Sequence, residues 1–221
     1  MNTWYFLRQV VFVFLSVAAV TGSFAQDKIT ELQEKLKQNP NDESTLMELG
    51  RQYHDMAMGG DKGAVDKGFR CFDRALALDS TNVVALAYRG SLWALRARDA
   101  WWPPTKLNYL KQGSEEMDKA VERDPMNMMV RVIRGMNSLT LPGGLGKLST
   151  ALEDFILLLK HPEFPTQRRE LKALIYFYAG VAHKRADEYD RAKELFQKAI
   201  SILPGSDYAR RAQEELKDMG S

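Results

Sequence analysis

Near the end of this chain, small and aromatic residues fall at spacings that fit two closely crossed helices: Tyr176, Ala179, Gly180 and His183, then Ala192, Phe196, Ala199 and Pro204. Within each set the residues recur every three or four positions, so each set shares one helix face. Pro204 ends the second helix, because proline lacks an amide donor and clashes with the preceding turn. Two backbones approach closely only where side chains are small. The spacing therefore predicts Gly180 facing Ala192, with Phe196 filling the space beside that contact.

The same arrangement recurs upstream. Leu46, Leu49, Gly50 and Tyr53 open a first unit that Gly68, Phe72 and Ala75 close, with Gly50 expected to face Gly68. Leu86, Gly90 and Trp93 open a second, closed by Gly113, Met117, Ala120 and Pro125. A third keeps Gly135, Ala151 and Phe155, but Arg131, Arg134 and Ser138 stand where apolar or aromatic residues are expected. Over residues 43–206 these motifs resemble the tetratricopeptide repeat, a helix-turn-helix unit with the pattern W-x2-L-G-x2-Y…A-x3-F…A…P. The resemblance implies an all-α fold, an α-solenoid of about four helix pairs. Such folds build binding surfaces rather than reaction centres.

Helices are expected near 28–39, 43–57, 64–79, 82–99, 105–123, 127–140, 146–160, 166–186, 188–202 and 206–219. Ile29, Leu32 and Leu36 share one face before Pro40, so residues 26–42 read as the second half of an incomplete unit. Residues 207–221 carry many charges around Tyr208, Ala212 and Leu216, as expected of a terminal capping helix with one solvated face.

Residues 1–25 read as a targeting signal. Arg8 precedes the apolar run from Val10 to Val20, and Ser23 and Ala25 supply the small residues that a signal peptidase reads. Cleavage after Ala25, export to a periplasm or the exterior, and no stable membrane insertion afterwards are the expectations. The apolar run is well short of the ~20 residues that span a bilayer, and no cysteine follows it for a lipid anchor.

The whole chain has 31 basic and 29 acidic side chains; losing Arg8 with the signal leaves 30 against 29. That balance gives no argument for nucleic acid as a partner. Cys71 is the only cysteine, which excludes an intramolecular disulfide, and its place beside Phe72 in a second helix suits a buried filler. His54, His161 and His183 lack neighbours at metal-ligand spacing. Gly143–Lys147 is a poor phosphate loop: the first glycine position is Leu141, Leu148 follows the lysine, and no strand precedes. No catalytic residue, cofactor or metal is expected.

Gly50, Gly90, Gly135 and Gly180 are 40, 45 and 45 residues apart, against the ~34 of an uninterrupted repeat. The extra chain is expected in insertions between paired helices, at 56–63, 98–106 and 141–147, sharing one rim, with an elongated exit at 159–169. The second insertion holds Arg98, Trp101 and Trp102, stiffened by Pro103 and Pro104. Tryptophan and arginine are enriched among residues that dominate protein interfaces, so these three are candidate partner-binding residues. Because large aromatics are usually well buried, the tryptophans are expected to fold back and plug the stack, an exposed anchor being the other reading.

In the family that the chain resembles, first helices line a peptide-binding groove. Carried onto this sequence, that face holds Ser44, Met47, Arg51, Val84, Ala87, Ser91, Met129, Val132, Met136, Leu174, Phe177 and Val181. Beyond the first unit it is apolar, which disfavours a charged peptide terminus. So large an apolar face is expected to be covered by the chain itself or by an apolar ligand. Met129, Met136 and Phe177 are the candidate partner contacts. The expected function is a non-enzymatic protein or peptide interaction module of a bacterial cell envelope, a scaffold or adaptor in an assembly or transport complex. The alternative is a carrier of a small hydrophobic ligand.

Overall fold

The structure, a computed structural model, describes residues 26–140 and 147–220. Among them are ten α-helices and no strand: α1 (26–38), α2 (Glu43–Met58), α3 (Lys62–Leu78), α4 (Val83–Asp99), α5 (Pro103–Arg123), α6 (Met128–Thr140), α7 (Leu148–Lys160), α8 (Arg169–Arg185), α9 (Tyr189–Ile202) and α10 (Asp207–Asp218). Every expected helix is present, with ends shifted by a few residues. The signal segment 1–25 and the glycine run 141–146, with the phosphate-loop pattern it contains, lie outside the described residues.

The chain divides into compact units at 85/86, inside α4. In the first, α2 packs along α3, and α1 adds Ile29 and Leu32 to the buried set while Gln33 Nε2 donates to Tyr53 Oη at 2.8 Å. In the second, α5 packs on α6, α6 on α7, α7 on α8, α8 on α9, and α10 on both α8 and α9.

The glycines mark the close crossings, but their partners differ from expectation. A Cβ on Gly50 would lie 2.7 Å from the Phe72 ring, and one on Gly180 2.7 Å from Phe196. The glycines therefore admit an aromatic ring from the second helix, where facing small residues were expected. Gly90 and Gly113 instead meet backbone to backbone: a Cβ on Gly113 would lie 2.6 Å from the Gly90 carbonyl oxygen.

The two expected insertions that can be seen are loops of three residues, 59–61 and 100–102, because the extra chain lengthens the helices instead. Asp61 caps α3 by accepting from the amides of Gly63 and Ala64, and Gly60 makes the turn with φ +106°. Pro103 and Pro104 do not extend the second loop. They open α5, where the first amides need no intrahelical acceptor. Extra chain does sit in the exit of the third pair, residues 161–168, where a 3-10 turn at Phe164–Thr166 buries Phe164 edge-on against Tyr176 at 5.3 Å.

Helix starts are fixed by short polar turns. Asn82 Oδ1 accepts from the Ala85 amide at 2.8 Å, and Asn127 Oδ1 from Val130 at 3.2 Å, each preceded by an aspartate that ties the same turn. Asp79 thus ties the turn that ends α3. Its carboxyl lies below the usual aspartate range, because the Thr81 hydroxyl and amide both donate to it.

Candidate functional site

Two surfaces of the second unit stand out. The first is a cleft of about 850 Å3. Met136, Ser138, Leu139 and Thr140 come to it from the end of α6, Lys147 and Leu148 from the start of α7, Phe177, Tyr178, Val181 and Arg185 from α8, and Arg211 and Glu215 from α10. Met136, Leu139, Leu148 and Val181 give an apolar floor. Lys147, Arg185 and Arg211 line it with the single acid Glu215; Lys147 is paired with Asp118 at 3.3 Å and Glu215 with Lys184 at 2.6 Å. Arg185 donates to the Leu139 carbonyl and so ties α8 to the last turn of α6, whose final carbonyls have no intrahelical donor.

The fourth unit covers its own groove. Phe177, expected as a partner contact, is 1% exposed. Its ring packs against Phe196 and Tyr208 at 5.9 and 6.0 Å, and the Arg211 guanidinium lies 4.4 Å from its centroid. α10 thus lays an arginine across two aromatic faces, since Arg211 is also 5.7 Å from Tyr178. Of the other groove candidates, Met136 and Val181 line the cleft. Met129 lies two turns away on α6, half-buried, with Tyr88 Oη 3.8 Å from its sulfur. Ala87, Ser91 and Val132 are buried.

The second surface is the tip between α4 and α5, where Trp101 is 88% and Trp102 52% exposed. The expected plug is absent. The loop is too short to fold back, and the prolines commit the chain to helix immediately after Trp102. The two indoles pack on one another, centroids 5.6 Å apart. Arg98 grips Asp99 through Nε–Oδ1 at 2.9 Å and Nη2–Oδ2 at 3.1 Å.

Arg131 and Arg134, the departures in the third unit, form a third cluster. Both reach Asp154, a fully buried carboxylate on α7. Arg131 also donates to the Pro125 carbonyl at 2.6 Å, and Arg134 to Asp118 at 3.2 Å, which in turn meets Lys147 at 3.3 Å. Burial raises the Asp154 carboxyl above its ordinary value, and the hydrogen bonds from Arg134 and Arg131 offset only part of that rise. The space left beside Arg134 is about 10 Å3, room for one water, so the cluster serves folding rather than ligand binding.

His183 is a packing histidine: it is buried, and its Nδ1 lies 2.6 Å from Glu188 Oε2. Sequence reasoning missed Leu139, Leu148, Arg185, Arg211 and Glu215. The one available signal was the four-residue spacing of Arg211 and Glu215, which puts both on one face of α10. That face was read as solvated.

Residues 173–206 match the tetratricopeptide repeat family, which is the unit assigned from Gly180 and Phe196. Among solved structures, the thermophilic TPR protein TTC0263 of Thermus thermophilus is 18% identical; the alignment covers 91% of this chain and 95% of that one, with a TM-score of 0.71. MamA of Desulfovibrio magneticus RS-1, from its residue 41 onward, is 15% identical over 89% of this chain and 96% of that one, with a TM-score of 0.49. No curated protein matches the sequence. The first of these structural likenesses establishes the fold, an all-α solenoid of tetratricopeptide-like helix pairs.

Proposed function

We propose that this tetratricopeptide-repeat chain is a non-enzymatic interaction module of a bacterial cell envelope. It docks an apolar segment of a partner protein in the cleft between α6, α8 and α10, as scaffold or adaptor in an assembly or transport complex. Repeat folds present extended concave surfaces of this kind, and the matched family names no reaction. The envelope assignment rests on the signal read in residues 1–25.

The observation that carries the reading is the cleft itself: an apolar floor open between three helices, under a rim with more cations than acids. An apolar segment flanked by acidic residues fits both. A photo-crosslinking residue placed at Val181 tests it against the same residue at the exposed position 193 on α9. A partner captured from envelope extract through position 181 alone, and lost in Met136→Glu, supports the cleft. Equal capture from both positions rejects it.

A cleft of this size also falls within the ~300–1,000 Å3 of small-molecule sites. That favours, as a second reading, a carrier of a small hydrophobic ligand. Mass spectrometry of organic extracts of the purified protein separates the two: a stoichiometric lipid-like molecule absent from Val181→Glu would select the carrier.

A further inference from the structure

The α4–α5 tip does not line the cleft. Trp101, Trp102 and, one turn into α5, Leu107 at 55% exposure place three large apolar side chains at the end of a helix pair. Pro103 and Pro104 are exposed beside them. This apolar group is rigid. Proline fixes the first two helical positions, and the Lys106 amide donates to the Trp102 carbonyl at 3.0 Å, so Trp102 is already part of the helical hydrogen-bond ladder.

The charge around the tip is one-sided. Residues 96–111 contain Arg96, Arg98, Lys106 and Lys111 against Asp99 alone, a net +3 within a chain whose total is +2. Asp99 is held by Arg98, and the next acid along the chain is Glu115, 3.8 Å from Lys111. Lys106 and Lys111 are exposed in the first turns of α5, at its fourth and ninth positions. Indole rings favour the boundary between headgroups and acyl chains, and lysine stems extend along apolar surface to set their ammonium groups among phosphates. Exposed, rigid aromatics beside exposed cations match an anionic bilayer in both polarity and charge.

We propose that the α4–α5 tip is a peripheral membrane anchor: Trp101, Trp102 and Leu107 enter the headgroup region of an anionic bilayer while Arg98, Lys106 and Lys111 engage lipid phosphates. The anchor is independent of the cleft, and either assignment can fail alone.

The buried thiol of Cys71 leaves an introduced cysteine as the site of labelling. The full chain carrying Asn108→Cys, labelled with the fluorophore NBD, is mixed with vesicles of phosphatidylcholine containing about a third phosphatidylglycerol; a second sample carries the label at position 193. The expected result is a blue-shifted, brighter emission from position 108 alone. It should be absent with pure phosphatidylcholine and diminished by molar salt, which shortens the reach of the lipid charge. In the same labelled background, Trp101→Ala with Trp102→Ala, and separately Lys106→Gln with Lys111→Gln, should each weaken the partition about tenfold. Because the label reports its own surroundings, contact made by other parts of the chain does not mimic the signal. The anchor is overturned if position 108 shows no shift with anionic vesicles, or if the double tryptophan variant shifts as the parent does. A tip that ignores vesicles but is needed to bind a protein also overturns it.

Discussion

Arg134 grips Asp154 through two parallel hydrogen bonds, Nε to Oδ2 and Nη2 to Oδ1, each 2.8 Å long. Arg131 adds a third, at 2.7 Å to Oδ1. A carboxylate with no exposure is thus shared between two guanidiniums that are themselves nearly buried. Removing one arginine leaves the acid a partner, whereas removing the acid leaves two nearly buried cations only the more exposed Glu153 and Asp118. Asp154→Ala should therefore cost about 3–5 kcal/mol and Arg134→Met distinctly less, as read by urea denaturation. Equal losses would show that the two arginines do not share the load.

Gly180→Ala tests the fourth crossing with an unambiguous sign. In a helix not pressed by a neighbour, alanine is more stable than glycine by about 1 kcal/mol. Here the new methyl would sit 2.7 Å from a fully buried phenylalanine ring, and overpacking of that kind costs about 1–3 kcal/mol. The expected result is a lower melting temperature, with Gly180→Leu lower still. A stabilised Gly180→Ala would mean that the helices do not cross there.

Burial pushes the Cys71 thiol from its ordinary 9.0 up to about 11, with Arg74 and Arg70 opposing. A value higher in the folded than in the unfolded chain favours folding below pH 9, and that advantage disappears as pH rises through 11. Over the full interval it amounts to about 3 kcal/mol. Wild type should therefore lose more stability between pH 9 and 11 than Cys71→Ala does. At neutral pH the folded thiol should resist iodoacetamide until the chain is unfolded by urea. Identical alkaline slopes for the two proteins would remove the assignment.

Trp101→Ala combined with Trp102→Ala should leave the melting temperature nearly unchanged, since exposed substitutions away from packing contacts stay within about 0.5 kcal/mol. A fall of many degrees, measured by circular dichroism, would return these side chains to the core.

Processing after Ala25 should give a mature chain beginning at Gln26, measured as the intact mass of exported protein. A species that keeps Arg8 and the apolar run would replace a released protein with a tethered one.

The helices were legible because their periodicity is a property of the chain alone. Ile29 and Leu32, or Phe196 and Ala199, must share a face wherever they pack. What faces that side was not legible: Gly180 was matched to Ala192 because both are small, whereas the ring of Phe196, one turn further along, fills the gap. Arg131 and Arg134 were visible as departures from pattern, but Asp154 lies some 20 residues away and nothing local links them. The tryptophan tip was placed correctly in sequence and wrongly in space. Burial statistics pointed inward, and the prolines were read as loop stiffeners when they are the first turn of a helix. The cleft depends on α10 docking against α8, an association that no spacing within either helix announces.

Arg211 and Tyr208 over Phe177 have a consequence for how copies of the chain meet. A stack of repeats has no intrinsic last member: the face that receives the next helix pair is apolar in every unit, and an open face would accept a second molecule head to tail. Such contacts do not close on themselves and lead to fibres. α10 fills that seat with Ala209 and Ala212 and turns outward a surface of Asp207, Arg210 and Glu214 paired among themselves. α10 therefore covers the apolar end of α8 and α9 that a head-to-tail contact of this kind would use.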